Sequence, residues 1–167
     1  MRQCGDNMRG KVKLKHTEDY YLKVLLKETL AREIMTTPVV SVSIHADFQQ
    51  VPDLFRENII RHLPVVTQDG KLAGLITQRD LFRICPPKKR EDGTFYFDRD
   101  LLAGIILEHV MIQAPFFMHE QDPMGDVLVH LVDKKIGCVP IVTSDKTVCG
   151  IITQIDILKV AAQIYQE

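Results

Sequence analysis

The chain has 167 residues, of which 46% are hydrophobic and 26% are charged, and its net charge at pH 7 is −1. This composition is typical of a soluble globular protein, and the balanced charge excludes a global field that would attract nucleic acid or a membrane. The longest apolar run, at residues 101–107, is far too short to cross a bilayer. Because the polar N-terminus also lacks the apolar segment of a signal peptide, we expect a cytoplasmic protein.

Residue types that serve in metal sites and active sites are scattered along the chain. The four cysteines and six histidines include no CxxC or HxxH pair, which argues against a metal site. The sequence also contains no activated nucleophile and no pair of carboxylates at catalytic spacing. We therefore predict a protein that is not an enzyme, that needs no metal or cofactor, and whose cysteines are free thiols.

Residues 1–16 form a basic N-terminal arm, which we expect to be solvated and flexible. Its scattered lysines and arginines are too sparse for a dedicated nucleic-acid-binding tail. A helix should begin at Thr17 and run to about residue 35, because Leu22 and Leu26 lie on one apolar stripe.

A first set of elements follows in the order strand, helix, hairpin and helix. Residues 39–42 are predicted to form a strand, and the next helix starts near Asp47 with Pro52 in its first turn. Two apolar runs around a turn at residues 68–71 predict a β-hairpin. The helix after Thr77 should end just before a pair of prolines.

The predicted linker comprises residues 86–97, because residues 88–93 are polar and turn-forming. It contains an unexpectedly aromatic stretch, Phe95-Tyr96-Phe97. Two interpretations of this stretch remain open: a short strand, or a plug over the core.

From Asp98 the same order of elements begins again. We predict a helix through residues 101–110, a strand at residues 116–118, and a helix capped by Asp122 with Pro123 at its first position. A second hairpin and a final helix follow. The final helix should bury four apolar side chains, those of Ile157, Val160, Ala161 and Ile164.

The sequence therefore predicts two repeats, residues 17–85 and 98–167, of an α+β (α/β) fold. The opening that ends at Pro115 is one residue longer than the opening that ends at Pro38. A single repeat of this size would bury only about 60% of its unfolded surface, which makes it marginally stable. We expect the two β-α-β-β-α units to pack sheet to sheet about a pseudo-twofold axis.

The clearest sign of repetition is one motif that occurs at residues 74–80 and again at residues 150–156. Its Gly, Thr and Asp recur 76 residues apart, and each copy is a short apolar strand that ends at the Thr, where a helix begins. A Thr N-cap with Asp three residues later forms a capping box. The N–H groups and dipole at such a helix start also attract anions. Capping alone, worth about 1 kcal/mol, would equally explain each single copy.

These closing motifs, with the strand His62-Leu63-Pro64-Val65-Val66, resemble the cystathionine-β-synthase (CBS) domain. Two such domains in tandem resemble a Bateman module. The resemblance covers roughly residues 18–165 and implies clefts between the paired sheets. In the family, such clefts bind adenosine-containing molecules such as AMP, ADP, ATP, S-adenosylmethionine or NAD(H). An adenine nucleotide would then be a regulatory ligand.

The resemblance also implies roles for individual residues. Asp80 and Asp156 would accept hydrogen bonds from a ribose diol, and Thr77 and Thr153 would meet the phosphate. His62 is either a phosphate-side group or a surface histidine at a strand end. The positions that contact the base in the family correspond here to Thr37, Val39, Val65, Ala114, Phe116 and Ile141.

Three functions compete at this point: a nucleotide-sensing regulatory module, an enzyme, and a dimerisation scaffold that has lost its ligand. The scaffold gains support if Phe116 and Phe117 fill one cleft. We expect a homodimer formed through helices, since the apolar surface exceeds what a small core hides. The residues that carry this surplus are Leu22, Leu25, Leu26, Ile105 and Ile106.

The two clefts should be unequal, because the repeats differ where Arg79 corresponds to Ile155. A cation in the first turn of a helix is disfavoured by the dipole unless an anion meets it. We therefore expect the phosphate of the better ligand to lie near Arg79 and to accept a two-pronged hydrogen bond from it.

Overall fold

A computed structural model of the chain describes residues 16–166, and the side chains of residues 20–166. It therefore leaves the predicted basic arm almost entirely outside the described residues. The helices within this range are α1 His16–Glu28, α2 Ala31–Ile34, α3 Val51–Glu57, α4 Gln78–Ile84, α5 Arg99–Leu102, α6 Leu107–Val110, α7 Met124–Asp133 and α8 Gln154–Gln166. The strands are β1 Val42–Ser43, β2 His62–Val66, β3 Leu72–Thr77, β4 Lys88–Lys89, β5 Phe95–Tyr96, β6 Ile112–Gln113, β7 Met118–His119, β8 Cys138–Val142 and β9 Val148–Thr153.

The strands form two main sheets that repeat the same pairing. One sheet has the order β1-β2-β3-β6 and the other β7-β8-β9. In each sheet, a parallel pair of strands is followed by an antiparallel hairpin. The register of the first hairpin shifts between Val65 and Val66, and that of the second shifts at the equivalent place, between Ile141 and Val142. The hairpin turns also meet, because Leu72 N–H donates to the Lys146 carbonyl and Val148 N–H to the Gly70 carbonyl. The predicted α+β class and both predicted hairpins are confirmed.

Each repeat has its own core, but each core is completed by a segment that precedes the other repeat. Leu102 and Leu107 belong to the core of the first repeat, and Ala31 belongs to the core of the second. A smaller cluster of Leu75, Cys138 and Ile151 lies where the two sheets meet. The sequence assigned each leading helix to the repeat that follows it in the chain. In the fold, each leading segment packs on the opposite repeat.

Two methionines secure this exchange of leading segments. Met35 lies over Gly150 and Met111 lies over Gly74, and a Cβ at either glycine would come within 2.3 Å of the facing sulfur. Two non-bonded atoms cannot approach this closely, so a side chain at either glycine would displace the methionine from the strand. Backbone pairing follows the same pattern, because Thr36 pairs with Ile151 and β6 pairs with β3.

Both long helices predicted ahead of the repeats are interrupted. The first breaks at Leu30, whose backbone is extended, with φ −94° and ψ 155°. There Ala31 N–H donates to the Asp122 carbonyl and Met124 N–H to the Thr29 carbonyl, so the break serves pairing with the second repeat. The second is divided into α5 and α6. Gly104 lies in the gap, and glycine within a helix costs about 1 kcal/mol relative to alanine.

Other boundaries move by a few residues. The first strand of each repeat is only two residues long, so the predictions at residues 39–42 and 116–118 are too long or too early. Pro123, and not Asp122, occupies the N-cap of α7, because the Asp122 carboxylate accepts instead from His119 N–H at 2.7 Å. β1 and β7 lie 76 residues apart, so the second opening has no extra residue. Instead, Pro115 lies one residue nearer to β7 than Pro38 lies to β1.

Two further expectations concern the end of α8 and the aromatic stretch of the linker. The end of α8 is not packed, since Ala161 and Ile164 are exposed, contrary to the prediction that they are buried. In the aromatic stretch of the linker, Phe95 and Tyr96 form β5, which pairs with β4 in a separate two-stranded hairpin, whereas Phe97 packs against the first core. None of the helices in the described part of the chain combines the length and apolarity needed to cross a membrane.

Candidate functional site

The first copy of the repeated motif places Thr77 at the end of β3 and Asp80 in the first turn of α4. Thr77 is an extended N-cap residue whose hydroxyl oxygen accepts from Asp80 N–H at 3.2 Å. Asp80 Oδ2 in turn accepts from Thr77 N–H at 3.1 Å and from its hydroxyl at 2.5 Å. The predicted capping box is therefore present. The Asp80 side chain remains 21% exposed, and Arg83 at 3.9 Å is the nearest cation to its Oδ1 atom among the described residues.

The second copy has the same turn but a different environment. Asp156 is only 5% exposed. Its Oδ2 atom accepts from Thr153 N–H at 2.8 Å and from the Thr153 hydroxyl at 2.7 Å. Its Oδ1 atom accepts from the Thr36 hydroxyl at 3.0 Å and from Lys159 Nζ at 3.1 Å. Both oxygens of this carboxylate are thus engaged by the protein itself.

These bonds leave Asp156 ionised. Burial works to raise the pKa of Asp156, but the bonds from Thr153, Lys159 and Thr36 outweigh burial and lower that pKa below its ordinary value of 3.8. The carboxylate therefore acts as a charged anchor that joins the start of α8 to the leading segment of the first repeat.

The exchange of leading segments decides which residues face each motif. We name the two regions by their carboxylates. The Asp156 cleft lies between the start of α8 and the segment at residues 36–39, whereas the Asp80 cleft lies between the start of α4 and the segment at residues 112–116. Each cleft is consequently built from both repeats.

One facing position explains why the two carboxylates differ. Ile112 pairs with Leu75 as Thr36 pairs with Ile151, so these two residues occupy equivalent places. Thr36 carries the hydroxyl that engages Asp156, but Ile112 has no donor in its side chain and is 44% exposed. In the part of the chain that the structure describes, Asp80 Oδ1 therefore has no close hydrogen-bond donor.

His62 adds a polar ring to the Asp80 cleft. It pairs with Thr77 across the hairpin, and its Nε2 atom lies 2.7 Å from the place that a Cβ on Gly137 would occupy. Burial lowers the pKa of His62 below 6.5, and the nearby charges of Arg61 and Arg79 lower it further. The ring is therefore neutral at pH 7 and offers one N–H donor and one acceptor.

The equivalent positions in the Asp156 cleft are apolar. Cys138 stands in the place of His62, and burial raises the pKa of its thiol to about 12. Ile155 stands in the place of Arg79 and is exposed. Arg79 is exposed too, and it makes no salt bridge within the described residues. The predicted difference in charge between the two clefts thus corresponds to Arg79 and Ile155, and the clefts differ in polarity at His62 and Cys138 as well.

The predicted base-contacting residues fall into two groups. Thr37 and Ala114 are exposed on the leading segments beside the clefts, and Val39 packs against the cluster between the sheets. Val65 and Ile141 are fully buried in the cores of their own repeats. We correct these last two assignments, because side chains alternate along a strand and these two face the helices instead of the other sheet.

Phe116 does not obstruct the Asp80 cleft. Its ring centre lies 4.5 Å from that of His130, and Lys134 Nζ lies 4.6 Å from the ring centre, so it packs on α7 of its own repeat. Phe117 is directed to His119, with an edge-on ring distance of 5.8 Å. The suggestion that these two rings fill a cleft is not supported.

Sequence reasoning missed three residues that determine the geometry: Thr36, Ile112 and Gly137. Thr37 was chosen as a site residue and its neighbour Thr36 was not. The signal available was the repeat offset, because Thr36 and Ile112 lie 76 residues apart, as the two motifs do. The helix dipole was also overestimated for the first cleft, since α4 has only seven residues. Among residues 16–166, no group of three or more His, Cys, Asp or Glu side chains could hold a metal ion.

Comparison with known protein families identifies one match. A family model described as the CBS domain matches residues 31–86 and again residues 107–163. The chain is 26% identical over 129 residues to L-aspartate semialdehyde sulfurtransferase of Methanocaldococcus jannaschii, and the match covers 77% of this chain and 22% of that protein. It is 29% identical over 128 residues to the chloroplastic CBS domain-containing protein CBSX1 of Arabidopsis thaliana, covering 67% and 54%. This chain spans only about a quarter of the length of the first curated relatives that it matches.

Solved structures agree with the fold. The CBS domain pair of protein MJ0100, in complex with 5′-methylthioadenosine and S-adenosyl-L-methionine, superposes with a TM-score of 0.66 at 24% identity and covers 81% of this chain and 97% of that chain. CBSX2 of Arabidopsis thaliana in complex with AMP gives 0.67 at 20% identity, covering 81% and 98%. At these identities, the similarity establishes the fold.

Proposed function

The chain belongs to the CBS-domain family, with two copies of the domain in tandem, and from this premise we propose that it is a regulatory module that binds one adenine nucleotide in the Asp80 cleft. The observation that carries this proposal is the Oδ1 atom of Asp80, which accepts no hydrogen bond from the described residues and has only the exposed Arg83 nearby, at 3.9 Å. Arg79 lies in the same first turn of α4, and His62 pairs with Thr77 across the hairpin. Complexes of related domain pairs with AMP and with S-adenosyl-L-methionine support an adenosine-containing ligand.

Asp80 is suited to hold a ribose. Its Oδ2 atom maintains the capping box with Thr77, while Oδ1 can accept from the 2′- and 3′-hydroxyl groups. A carboxylate has about four lone-pair sites, so both tasks are compatible. Asp156 cannot perform the second task without losing Thr36 or Lys159. We therefore propose that the Asp156 cleft is a structural joint and not a second nucleotide site.

Arg79 and His62 determine which adenosine compounds fit. A phosphate group can accept a two-pronged hydrogen bond from the Arg79 guanidinium and a further bond from the neutral His62 ring. The sulfonium of S-adenosylmethionine is a cation and would be repelled at this position. We propose that the Asp80 cleft prefers AMP, ADP or ATP. Because the cleft is built from both repeats, the contacts to phosphate, ribose and base would together draw the two repeats toward each other.

Isothermal titration calorimetry with AMP, ADP, ATP, NAD and S-adenosylmethionine tests this function. We expect one nucleotide per chain, no hydrolysis, and a higher melting temperature, equivalent to about 2.7 kcal/mol when the ligand is present at 100 times its dissociation constant. Asp80→Ala should abolish this shift. Asp156→Asn, which keeps the side-chain volume at the equivalent position, is the matched control and should bind AMP as the wild type does.

Two outcomes would reject the proposal. A melting temperature that no ligand of the panel changes would favour the alternative of a constitutive scaffold. Conversion of the bound nucleotide would point to an enzyme. We also propose that the protein works in the cytoplasm, which the free thiols of Cys85, Cys138 and Cys149 support.

We propose further that the protein is a homodimer, as the sequence suggested, but through a different surface. Of the five residues predicted to form the interface, Leu22 and Ile106 are exposed, at 40% and 56%, but Leu25, Leu26 and Ile105 are half-buried within the chain. A more exposed apolar surface lies on α7 and α8, where the side chains of four residues are each more than half exposed: Val129, Val132, Ile155 and Leu158. We call these four residues the α7–α8 face. The equivalent residues of the first repeat are Asp53, Arg56, Arg79 and Phe82.

This comparison argues for a second copy as the occupant of the α7–α8 face. In the first repeat the same surface carries the salt bridge between Arg56 and Asp53 and is bordered by the linker hairpin, with Phe97 stacked on Phe82. The four residues of the α7–α8 face carry no charge, and no segment within residues 16–166 covers them as the linker hairpin borders the first repeat. An uncharged aliphatic patch can pair with itself about a twofold axis. Light scattering should give the mass of a dimer at micromolar concentration, and Val132→Asp should yield monomers. A monomeric wild type would contradict this part of the proposal.

A further inference from the structure

A second cavity lies on the opposite side of the first repeat from the inter-sheet cluster. It has a volume of about 820 Å³ and is bounded by α3, the first turns of α4 and the linker hairpin formed by β4 and β5. This volume is within the range of about 300 to 1,000 Å³ that is typical of small-molecule sites. Its floor is apolar and buried, formed by Pro52, Phe55 and Leu81.

The walls of this linker cavity are aromatic. Phe97 stacks on Phe82 at a ring-centre distance of 5.9 Å and so fixes the linker against α4. Tyr96 and Phe95 continue the wall along β5, and the Phe95 ring is 68% exposed. The Phe95 ring is therefore accessible to a molecule that enters the cavity.

The charged side chains that line the cavity differ in whether they form a salt bridge. Asp53 accepts from Arg56 at 2.7 Å and from Arg99 at 2.6 Å. Asp98 accepts from Lys88 at 2.6 Å. Both carboxylates that line the cavity are therefore already paired with cations. Arg90 makes no salt bridge among the described residues, and its guanidinium lies 4.7 Å from the centre of the Tyr96 ring.

This arrangement belongs to the first repeat alone. The second repeat has Val129, Val132 and Leu158 at the positions of Asp53, Arg56 and Phe82. No hairpin comparable to β4–β5 follows α8 within the described residues. The linker cavity is thus not a consequence of the repeated fold, but of the segment inserted between its two copies.

We propose that the linker cavity binds a small planar aromatic molecule that carries one anionic group. The ring enters between Phe82 and the exposed face of Phe95, because stacked or edge-on aromatic pairs are favourable beyond the apolar area they bury. The anionic group is held at Arg90, whose guanidinium can bond a carboxylate, sulfonate or phosphate in a two-pronged manner while it stays stacked on Tyr96. This site is separate from the Asp80 cleft and does not depend on nucleotide binding there.

Fluorescence titration with 8-anilinonaphthalene-1-sulfonate, a planar aromatic anion, tests the site. We expect saturable binding that Phe95→Ser weakens at least about tenfold, which corresponds to the loss of one aromatic contact of roughly 1.4 kcal/mol. The exposure of Phe95 protects the fold of this variant. Arg90→Gln should weaken binding of the sulfonate about tenfold and leave binding of the uncharged analogue N-phenyl-1-naphthylamine unchanged.

Two further measurements separate this site from other surfaces. Leu158→Ser reports dye bound to the α7–α8 face and should leave the affinity unaltered. Saturating AMP should not displace the dye. The proposal is overturned if Leu158→Ser removes binding, if AMP competes with the dye, or if neither Phe95→Ser nor Arg90→Gln changes the affinity. Failure of AMP to bind would leave these expectations intact and would count only against the Asp80 cleft.

Discussion

The Asp80 and Asp156 clefts share a backbone and a motif, yet they use the same carboxylate for different purposes. In one, the Oδ1 atom of Asp80 accepts no hydrogen bond from the described residues and has Arg83 at 3.9 Å as its nearest cation, with Arg79 on the same helical turn and His62 on the paired strand. In the other, Thr36 and Lys159 take both remaining hydrogen-bonding positions of Asp156. The comparison teaches that the motif alone does not define a ligand site. The residue that reaches it from the opposite repeat decides whether the carboxylate binds a ligand or joins two parts of the protein.

The largest expected difference between the clefts is in stability. Asp156→Ala should lower the free energy of unfolding by about 2 to 3 kcal/mol, because it removes an ionised, buried acceptor of four hydrogen bonds. Asp80→Ala removes only a partly exposed half of a capping box and should cost about 1 kcal/mol. Urea denaturation of both variants measures this difference. Equal losses would show that the two carboxylates play the same structural part.

The next effect concerns ligand charge. Arg79→Ala should weaken AMP binding about tenfold, since a hydrogen bond to a charged group contributes roughly 1.5 to 3 kcal/mol, but should leave adenosine binding nearly unchanged. Lys71→Ala, at the hairpin turn and at the other end of β3 from Thr77, removes another exposed cation and serves as the control. Calorimetry with both ligands provides the measurement. If AMP and adenosine bind the Arg79 variant as they bind the wild type, the charge difference between the clefts has no role in recognition.

Much of this asymmetry could be predicted from the sequence, since the doubled motif and the contrast between Arg79 and Ile155 are visible in it. The capping of α4 by Thr77 and the position of Pro52 in the first turn of α3 also follow from local chemistry. Local patterns are reliable for these features because the interacting residues are close neighbours in the chain.

A smaller effect should follow from exchanging the facing residues. Thr36→Val removes one hydrogen bond to Asp156 and should cost about 1 kcal/mol of stability. In the other cleft, Ile112→Thr introduces a hydroxyl that can engage Asp80 and compete with the ribose, so AMP affinity should fall severalfold. Ile112→Val keeps the shape without the hydroxyl and is the matched control. If Ile112→Thr and Ile112→Val bind AMP equally, the facing position does not control access to Asp80.

The smallest expected effect is a dependence of stability on pH that belongs to the Asp80 cleft. The pKa of His62 is lower in the folded state than its ordinary value of 6.5, so the unfolded chain binds more protons just below that pH. Stability should therefore decrease as the pH falls from about 6.5 toward the folded pKa. The lowered pKa of Asp156 adds a separate loss below 3.8. Urea midpoints between pH 7.5 and 5 should slope less in His62→Gln, and an unchanged slope would assign the dependence to another group.

The rest of the structure depends on contacts between distant residues, which periodicity does not encode. Nothing near Thr36 in the sequence indicates that it meets Asp156, 120 residues away. The same is true of the break at Leu30, which exists because residues of the second repeat pair with the backbone there. Base contacts were assigned to Val65 and Ile141 from positions in the family that the chain resembles, and such a correspondence does not show which face of the strand a side chain occupies.

The exchange of leading segments has a consequence for the order in which the protein can be made. The first core contains Leu102 and Leu107, so a ribosome that has released only the first repeat has produced a sheet without its final covering residues. Contacts of such long sequence separation slow folding. The contact between Met111 and Gly74 cannot form until Met111 has left the ribosome. Met35 is synthesised early, but its contact with Gly150 forms much later. The contact between Met35 and Gly150 therefore forms only after the hairpin of the second repeat has been synthesised.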